Sequence, residues 1–359
     1  MRVLVAMSGG VDSSVAAALL VERGHEVVGA TLKLWGGPSD SGCCSVADVD
    51  DARRVAQQLG IDHHVFNLTE EFDRHVVAPY VGEHARGRTP NPCIECNRSM
   101  KFDRLLGRSD RLGFDRLATG HHARVTRNDP RGGDSVWHLR RGADAAKDQS
   151  YVLSMLGQDA LSRVEFPVGD MTKDEVRAHA HRLGLRTAAK PDSQDVCFIR
   201  DAEGRQGFLS GRMELHAADV VDSAGRPAGS VEAVELVTVG QRRGMGHGTD
   251  GTRRYVTHVD VSARRVTVGS AADAMCSAVV LAAPSMTWVD RPLPAGARAV
   301  AQVSAHGRPA GCTVERSDTA NGDLLVRFDA PQRPVAPGQT VALYDARDPD
   351  AVIGAGIAA

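Results

Sequence analysis

Arg2-Val3-Leu4-Val5-Ala6-Met7-Ser8-Gly9-Gly10-Val11-Asp12-Ser13-Ser14 is the stretch that decides how this chain folds. An apolar run meets a glycine-rich turn and then a segment with apolar residues at helical spacing. That order sets a ring of backbone N–H groups and a helix N-terminus at the end of a buried strand. Unpaired amides and the helix dipole both favour negative charge there, so the turn predicts a phosphate-binding nest. It lacks the Gly-Lys-Ser/Thr ending of a Walker A loop, so no lysine is built in to reach a terminal phosphate.

Outward from this turn the pattern alternates. Strands are expected at 3–7, 26–34, 64–68 and 116–119, and helices at 13–23, 48–59, 69–86 and 102–112, with Gly24 and Gly60 as stops. Strands separated by helices of this length predict an α/β fold, a doubly wound parallel sheet covered on both faces. Ligands in such sheets sit at the carboxyl ends of the strands, where the 8–14 turn, Leu32 and Gly120-His121-His122 fall. Beyond about residue 200, short alternating segments punctuated by Gly, Pro, Asp and Asn predict antiparallel structure. The expected division is 1–203 for the α/β domain, 204–274 for a small linking domain and 275–359 for a C-terminal β-barrel.

With 42% apolar and 25% charged residues among 359, the composition is that of a globular protein of two or three domains. No apolar run is long enough to span a bilayer and no signal-peptide pattern opens the chain. Seven cysteines in that context predict a reducing, cytoplasmic location, where cysteine pairs serve redox or metal chemistry more than structure. A net charge of −2 excludes a wholly basic nucleic-acid binder but leaves room for local patches. Arg140-Arg141, Arg242-Arg243, Arg253-Arg254 and Arg264-Arg265 are read singly as solvated faces.

Three cysteines have informative surroundings. Cys93 and Cys96 lie in Thr89-Pro90-Asn91-Pro92-Cys93-Ile94-Glu95-Cys96-Asn97, a stiff proline turn that presents side chains. Cys197 follows another proline-led loop, Lys190-Pro191-Asp192-Ser193-Gln194-Asp195-Val196-Cys197-Phe198. Spacing alone admits three readings: a thiol relay, a three-ligand metal site with an open position, or small buried apolar side chains. Cys43-Cys44, Cys276 and Cys312 read as structural, and Trp35, Trp137 and Trp288 as core packing rather than a stacking platform.

Taken together, Ser8-Gly9-Gly10-Val11-Asp12-Ser13, the Asn91–Asn97 turn, Thr119-Gly120-His121-His122-Ala123, Lys147-Asp148-Gln149-Ser150-Tyr151 and the Cys197 loop resemble the tRNA-specific 2-thiouridylases. These are pyrophosphate-loop enzymes that split ATP into AMP and pyrophosphate and replace the C2 oxygen of the wobble uridine with sulfur. The likeness runs from Met1 to the closing Gly338-Gln339 and 354–357 segments. It implies ATP binding at Ala6-Met7-Ser8-Gly9-Gly10-Val11-Asp12-Ser13, with Leu32 and Gly120 on the adenosine side. Asp12 is expected to act through Mg²⁺, which takes few carboxylates plus phosphate oxygens; its alternative is a helix N-cap.

The resemblance further implies Cys197 as persulfide carrier and Cys96 as its nucleophilic partner, the two ending as a disulfide that must be reduced each cycle. A thiolate is required, with His121 a candidate neighbour. Asn91, Pro92 and Cys93 would contact the target base, His121, Lys147, Asp148 and Gln149 the surrounding RNA, and Gln339 the target nucleotide from the barrel. Ser304–Arg308 carries too thin a basic-aromatic stretch to expect tRNA contact there. Members of the family carry aspartate or cysteine at position 93. Cysteine there opens an alternative: a four-iron four-sulfur cluster on Cys93, Cys96 and Cys197, with bound hydrosulfide as donor. Expected partners are tRNAs for Lys, Glu and Gln and a cysteine desulfurase or relay protein. An amide-forming adenylating ligase is the competing activity, and it needs no cysteine pair; a non-enzymatic metal-bearing RNA-binding module is the third reading, and it makes the phosphate nest superfluous.

Overall fold

Val3, Leu4 and Val5 are fully inaccessible, with Leu4 in one hydrophobic core and Val3 and Val5 in another. A strand buried on both faces is what an apolar run in a parallel sheet requires. In the computed structural model, which describes residues 1–35, 45–128, 135–192, 196–199, 203–248, 251–317 and 321–359, this strand is β1, Arg2–Ala6. Cys43-Cys44 lie outside the described residues. Helix α1 (Val11–Glu22) leads to β2 (Glu26–Lys33), α2 (Val46–Leu59) to β3 (Asp62–Asn67), and β4 (Arg116–Thr119) and β5 (Val164–Glu165) complete the sheet. The order is β3-β2-β1-β4-β5, all parallel. The winding direction reverses between β1 and β4, so the crevice beyond their carboxyl ends is the natural ligand site.

Helices α1, α2 and α3 (Lys173–Arg182) cover one face through Val15, Leu20, Val55, Val176 and Ala180. Helical segments between residues 69 and 111 cover the other. The single helix expected over 69–86 is Thr69–Phe72, a wide five-residue-repeat turn Asp73–Val77, and Ala78–Ala85. Pro79 explains the break: it has no N–H to give, and its ring crowds the carbonyl one turn earlier. A second wide-turn segment, Cys96–Leu105, starts earlier than the helix expected from Phe102.

The later strands depart from expectation in one respect. Ala218–Asp222, Pro227–Val231, Tyr255–Asp260 and Arg265–Gly269 form a four-stranded sheet, in which Arg265–Gly269 runs parallel to Ala218–Asp222. The long 232–254 connection permits that crossover, whereas the hairpins around it are antiparallel. The seven strands from Cys276–Leu281 to Val352–Ile357 are antiparallel, and a bridge between Leu281 and Ala358 brings the last back to the first, closing the sheet on itself. Cys312 is buried in that core, while Cys276 packs at its margin.

This barrel docks on the first sheet through a hairpin, Ala123–Asn128 with Val136–Arg141, that sequence periodicity did not mark. Arg140 makes a two-pronged pair with Asp348 (2.7 and 2.9 Å), so this arginine is a docking group rather than a solvated one. Arg141 lies 3.9 Å above the Tyr344 ring. Tyr151 is buried and donates its hydroxyl to the Thr340 carbonyl at 2.9 Å. Tyr151→Phe removes that donor and leaves a buried acceptor short of a partner. The expected cost is roughly 1–3 kcal/mol, read from urea unfolding; an unchanged midpoint would mean that the barrel does not depend on this bond.

Candidate active site

The carboxyl end of β1 opens into a cavity of about 410 Å³. Its floor is the glycine turn. Thr31 donates its hydroxyl to the Met7 carbonyl at 2.7 Å, and the Ser8 N–H donates to Ser13 Oγ at 3.2 Å, which curls the turn over the start of α1. Gly10 occupies the N-cap position with no side-chain cap, leaving the first-turn amides to whatever enters the cavity. Two glycines allow the surrounding backbone to close in. Gly9 has φ +73°, and a Cβ there would lie 2.3 Å from the Asp48 carbonyl oxygen; one on Gly120 would lie 2.4 Å from Ser13 N. Ala6, Met7, Ser8, Gly10, Val11, Asp12, Ser13, Leu32 and Gly120 line the cavity, while Gly9 supports the turn from behind.

Asp12 is in the first turn of α1, not at its cap. Both its oxygens lie 2.8 Å from Lys173 Nζ, and His122 Nε2 is 3.1 Å from Oδ1. Burial pushes the Asp12 pKa up, but the His122 hydrogen bond and the Lys173 ammonium outweigh it and hold it below the usual carboxylate range. Lys173 also lies 2.8 Å from Asp192, which in turn pairs with Lys147 and Arg177, each at 2.8 Å. Burial again opposes, and the Lys147 and Lys173 ammonium groups prevail, keeping Asp192 well below an ordinary carboxylate. Two residues earlier, Lys190 Nζ reaches the Gly9 carbonyl (2.9 Å), Asp48 (2.6 Å) and Asp51 (2.8 Å). The segment leading to Cys197 is thereby fastened to the glycine turn at two points.

Cys93, Cys96 and Cys197 line the same cavity. Asn91 caps the helical turn Pro92–Glu95 by accepting from the N–H groups of Cys93 (3.0 Å) and Ile94 (3.4 Å), so its side-chain oxygen is engaged, and Asn91 is not itself among the cavity-lining residues. Cys96 opens the wide-turn segment that follows. The Val196 N–H donates to Cys93 Sγ at 3.3 Å, which brings the two cysteine loops into contact. Val196 itself has φ +52°, a left-handed conformation that β-branched residues avoid. Phe198 anchors the other side of Cys197 in an aromatic cluster with Trp35, Phe72, Tyr80 and Phe208. Among the described residues, no three His, Cys, Asp or Glu side chains gather as a metal-holding group.

The remaining predicted residues divide. His121 reaches the cavity but is deeply buried between Phe102 and Phe166, with Nδ1 2.6 Å from Thr119 Oγ1; burial drives its pKa well below the usual value, so it is neutral and supplies no positive charge to a thiolate. Lys147, Asp148 and Gln149 line the cavity. Asp148 is spent on structure, accepting from Arg141, the Gly142 N–H and Ser150. Gln149 clasps the His122 backbone, accepting at Oε1 and donating from its own N–H, each at 2.9 Å. Gln339 is not among the cavity-lining residues; its Oε1 accepts from Ala336 N–H in a turn beside Thr89. Two residues that sequence reading discounted do line the wall: Ala305 and His306 of the barrel. Arg141 donates to Gln302, which in turn holds the carbonyls of Ser304 and Ala305, so the loop is braced from the 123–141 hairpin. Asn97 presents to the cavity a buried carbonyl oxygen with no partner among the described residues, an acceptor for a ligand N–H.

Comparison with known proteins follows the same outline. Residues 1–201 match the family model described as the tRNA methyl transferase HUP domain, and residues 279–358 the one described as the aminomethyltransferase beta-barrel domain. The chain is 44% identical to the tRNA-specific 2-thiouridylase MnmA of Geobacter metallireducens over 99% of its own length and 96% of the relative's. It is 46% identical to that of Acidothermus cellulolyticus over 96% and 94% of the two lengths, and 43% identical to that of a Roseiflexus species over 99% and 98%.

Two outcomes are expected of this geometry. Gly120→Ala drives a methyl group into the backbone of α1, destabilising by about 1–3 kcal/mol as overpacking does and weakening nucleotide binding by calorimetry. Unperturbed affinity would show that the turn can yield. Because the Asp12 and Asp192 pKa values are depressed on folding, their contribution to stability is complete above the unfolded value of about 4 and lost as pH falls through the folded values. Asp12→Asn should therefore flatten the acid limb of stability against pH in urea titrations, with little change in its slope above pH of about 5.

Proposed function

The chain belongs to the tRNA-specific 2-thiouridylase family, and on that premise we propose that it thiolates the wobble uridine of tRNA at C2 in an ATP-dependent reaction. One observation carries the reading: the glycine-turn cradle and the Cys96 and Cys197 loops share a single cavity. The C2 carbonyl is a poor electrophile with oxide as leaving group, and adenylation cures both faults. ATP with its Mg²⁺ enters as substrate, its phosphates toward residues 8–13 and its adenosine toward Leu32 and Gly120. Asp12 is the carboxylate at that point and offers Mg²⁺ one ligand once Lys173 turns away.

The sulfur step follows as a relay. Cys197 arrives as a persulfide, loaded by a cysteine desulfurase or an intermediary protein. Its terminal sulfur bonds to C2; the Cys96 thiolate then attacks Cys197 Sγ, and the sulfur–sulfur bond breaks with its electron pair going to the sulfur on C2. The C2–O bond breaks with its pair leaving on AMP, a C=S bond remains, and Cys96 and Cys197 are left as a disulfide. A thiol reductant resets them. Asn91, Pro92 and Cys93 flank the place of the everted base, and Lys147, at the exposed rim, fits the RNA backbone. The working division is 1–203 for catalysis, 204–274 for linkage and 275–359 for tRNA contact, with Ala305 and His306 the barrel residues nearest the chemistry.

Other readings explain less. Methyl transfer, the activity in the matching family model's description, needs neither an adenylation cradle nor a thiol pair. An amide-forming ligase leaves the thiols idle. A four-iron cluster would take Cys93, Cys96 and Cys197 as its ligands, whereas the relay needs only the Cys96 and Cys197 thiols, so no step is assigned to a cluster. The test is ATP-dependent incorporation of labelled sulfur into wobble-uridine tRNA. Cys96→Ser and Cys197→Ser should lose at least a thousandfold, with Cys93→Ser retaining activity. Loss in all three, with iron present in anaerobically purified protein and absent from the variants, would replace the relay by the cluster; full activity of Cys96→Ser would remove both.

A further inference from the structure

Lys173 stands where electrostatics disfavours it. It is the first residue of α3, after the Thr172 cap, and a cation in the first turn opposes the helix dipole. Its side chain is only 10% exposed. Thr172 and Glu175 close a reciprocal capping box, and the Lys173 N–H donates to Asp144 at 2.9 Å, so the backbone beneath the side chain is fixed. The ammonium is held by Asp12 and Asp192, each at 2.8 Å, at the mouth of the uncapped α1 N-terminus. The glycine turn itself carries no lysine.

We propose that Lys173 is a catalytic residue for nucleotide activation, reaching the phosphates of ATP and stabilising the charge that leaves with pyrophosphate. This rests on the adenylation reading above. In that step uracil O2 bonds to the α-phosphorus, the α–β bridging bond breaks with its electron pair going to pyrophosphate, and the N3 proton passes to solvent. Before ATP arrives, Asp12 and Asp192 hold the ammonium in place. When ATP arrives, Lys173 exchanges Asp12 for phosphate, and the vacated carboxylate becomes available to Mg²⁺. Asp192 stays as its counter-charge and is a positioning residue, since Lys147 and Arg177 anchor it from behind.

The experiment measures tRNA-dependent pyrophosphate release, with persulfide loading of Cys197 (mass spectrometry) and tRNA binding as independent readouts. Lys173→Met should lower kcat for pyrophosphate release at least a hundredfold while KM for ATP rises less than tenfold, with persulfide loading and tRNA binding within threefold of wild type. Lys173→Arg, which keeps the charge, should recover at least tenfold of the loss and covers the case in which the methionine variant fails to fold. Pyrophosphate release within threefold of wild type in Lys173→Met overturns the proposal. So does an equal loss of persulfide loading, which marks a merely structural role. If wild type itself releases no pyrophosphate with tRNA present, the adenylation reading fails, and the lysine proposal falls with it for that separate reason.

Discussion

The carboxylate–ammonium–carboxylate chain Asp12–Lys173–Asp192 ties together three parts of the molecule that share nothing in sequence: the glycine turn, the start of α3 and the approach to Cys197. Buried ion pairs of this kind add little net stability, because desolvation consumes most of the attraction. Their value lies in specifying one arrangement. An apolar replacement could fill the same space, but it would not fix which atom of each loop meets which.

That arrangement places two chemistries side by side. The nest wants anions, and thiolates are anions, so a sulfur brought near it gains from the same field that holds phosphate. The cations lining the cavity, Lys101, Lys147 and Lys173, add to that field. The neighbouring His121 does not, since Phe102 and Phe166 enclose it. The site therefore draws its positive field from backbone amides and lysines rather than from the His121 ring.

Much of this was legible in the chain because it is written locally. An apolar run, a Gly-Gly turn and a helical repeat are neighbours in sequence, and they alone imply the parallel sheet and the position of its ligand site. What stayed hidden is long-range or shaped by a single residue. Nothing near Lys173 reveals a partner 161 positions away, although the Thr172–Glu175 box does announce a helix start. Asn91 and Asp148 look like free polar groups in a motif and turn out to be a helix cap and a bracing carboxylate. Arg140 looks solvated until the barrel supplies Asp348. The wide turns depend on how Pro79 and the packed faces settle, and the parallel pair in the small sheet on a crossover that hydrophobic alternation does not encode.

Val196 sets a condition on the Cys197 thiol beside it. A valine with positive φ costs on the order of 1–3 kcal/mol relative to a relaxed turn, and such a posture survives only when neighbours enforce it. Here the enforcers are the Cys93 sulfur on one side and the buried Phe198 ring on the other. Chemical change at position 93, by oxidation or alkylation, would strip one of them away. The peptide at 196 could then relax, so the sulfur at 197 would lose its heading without being touched: the side chain at 93 reaches the thiol at 197 through the backbone between them.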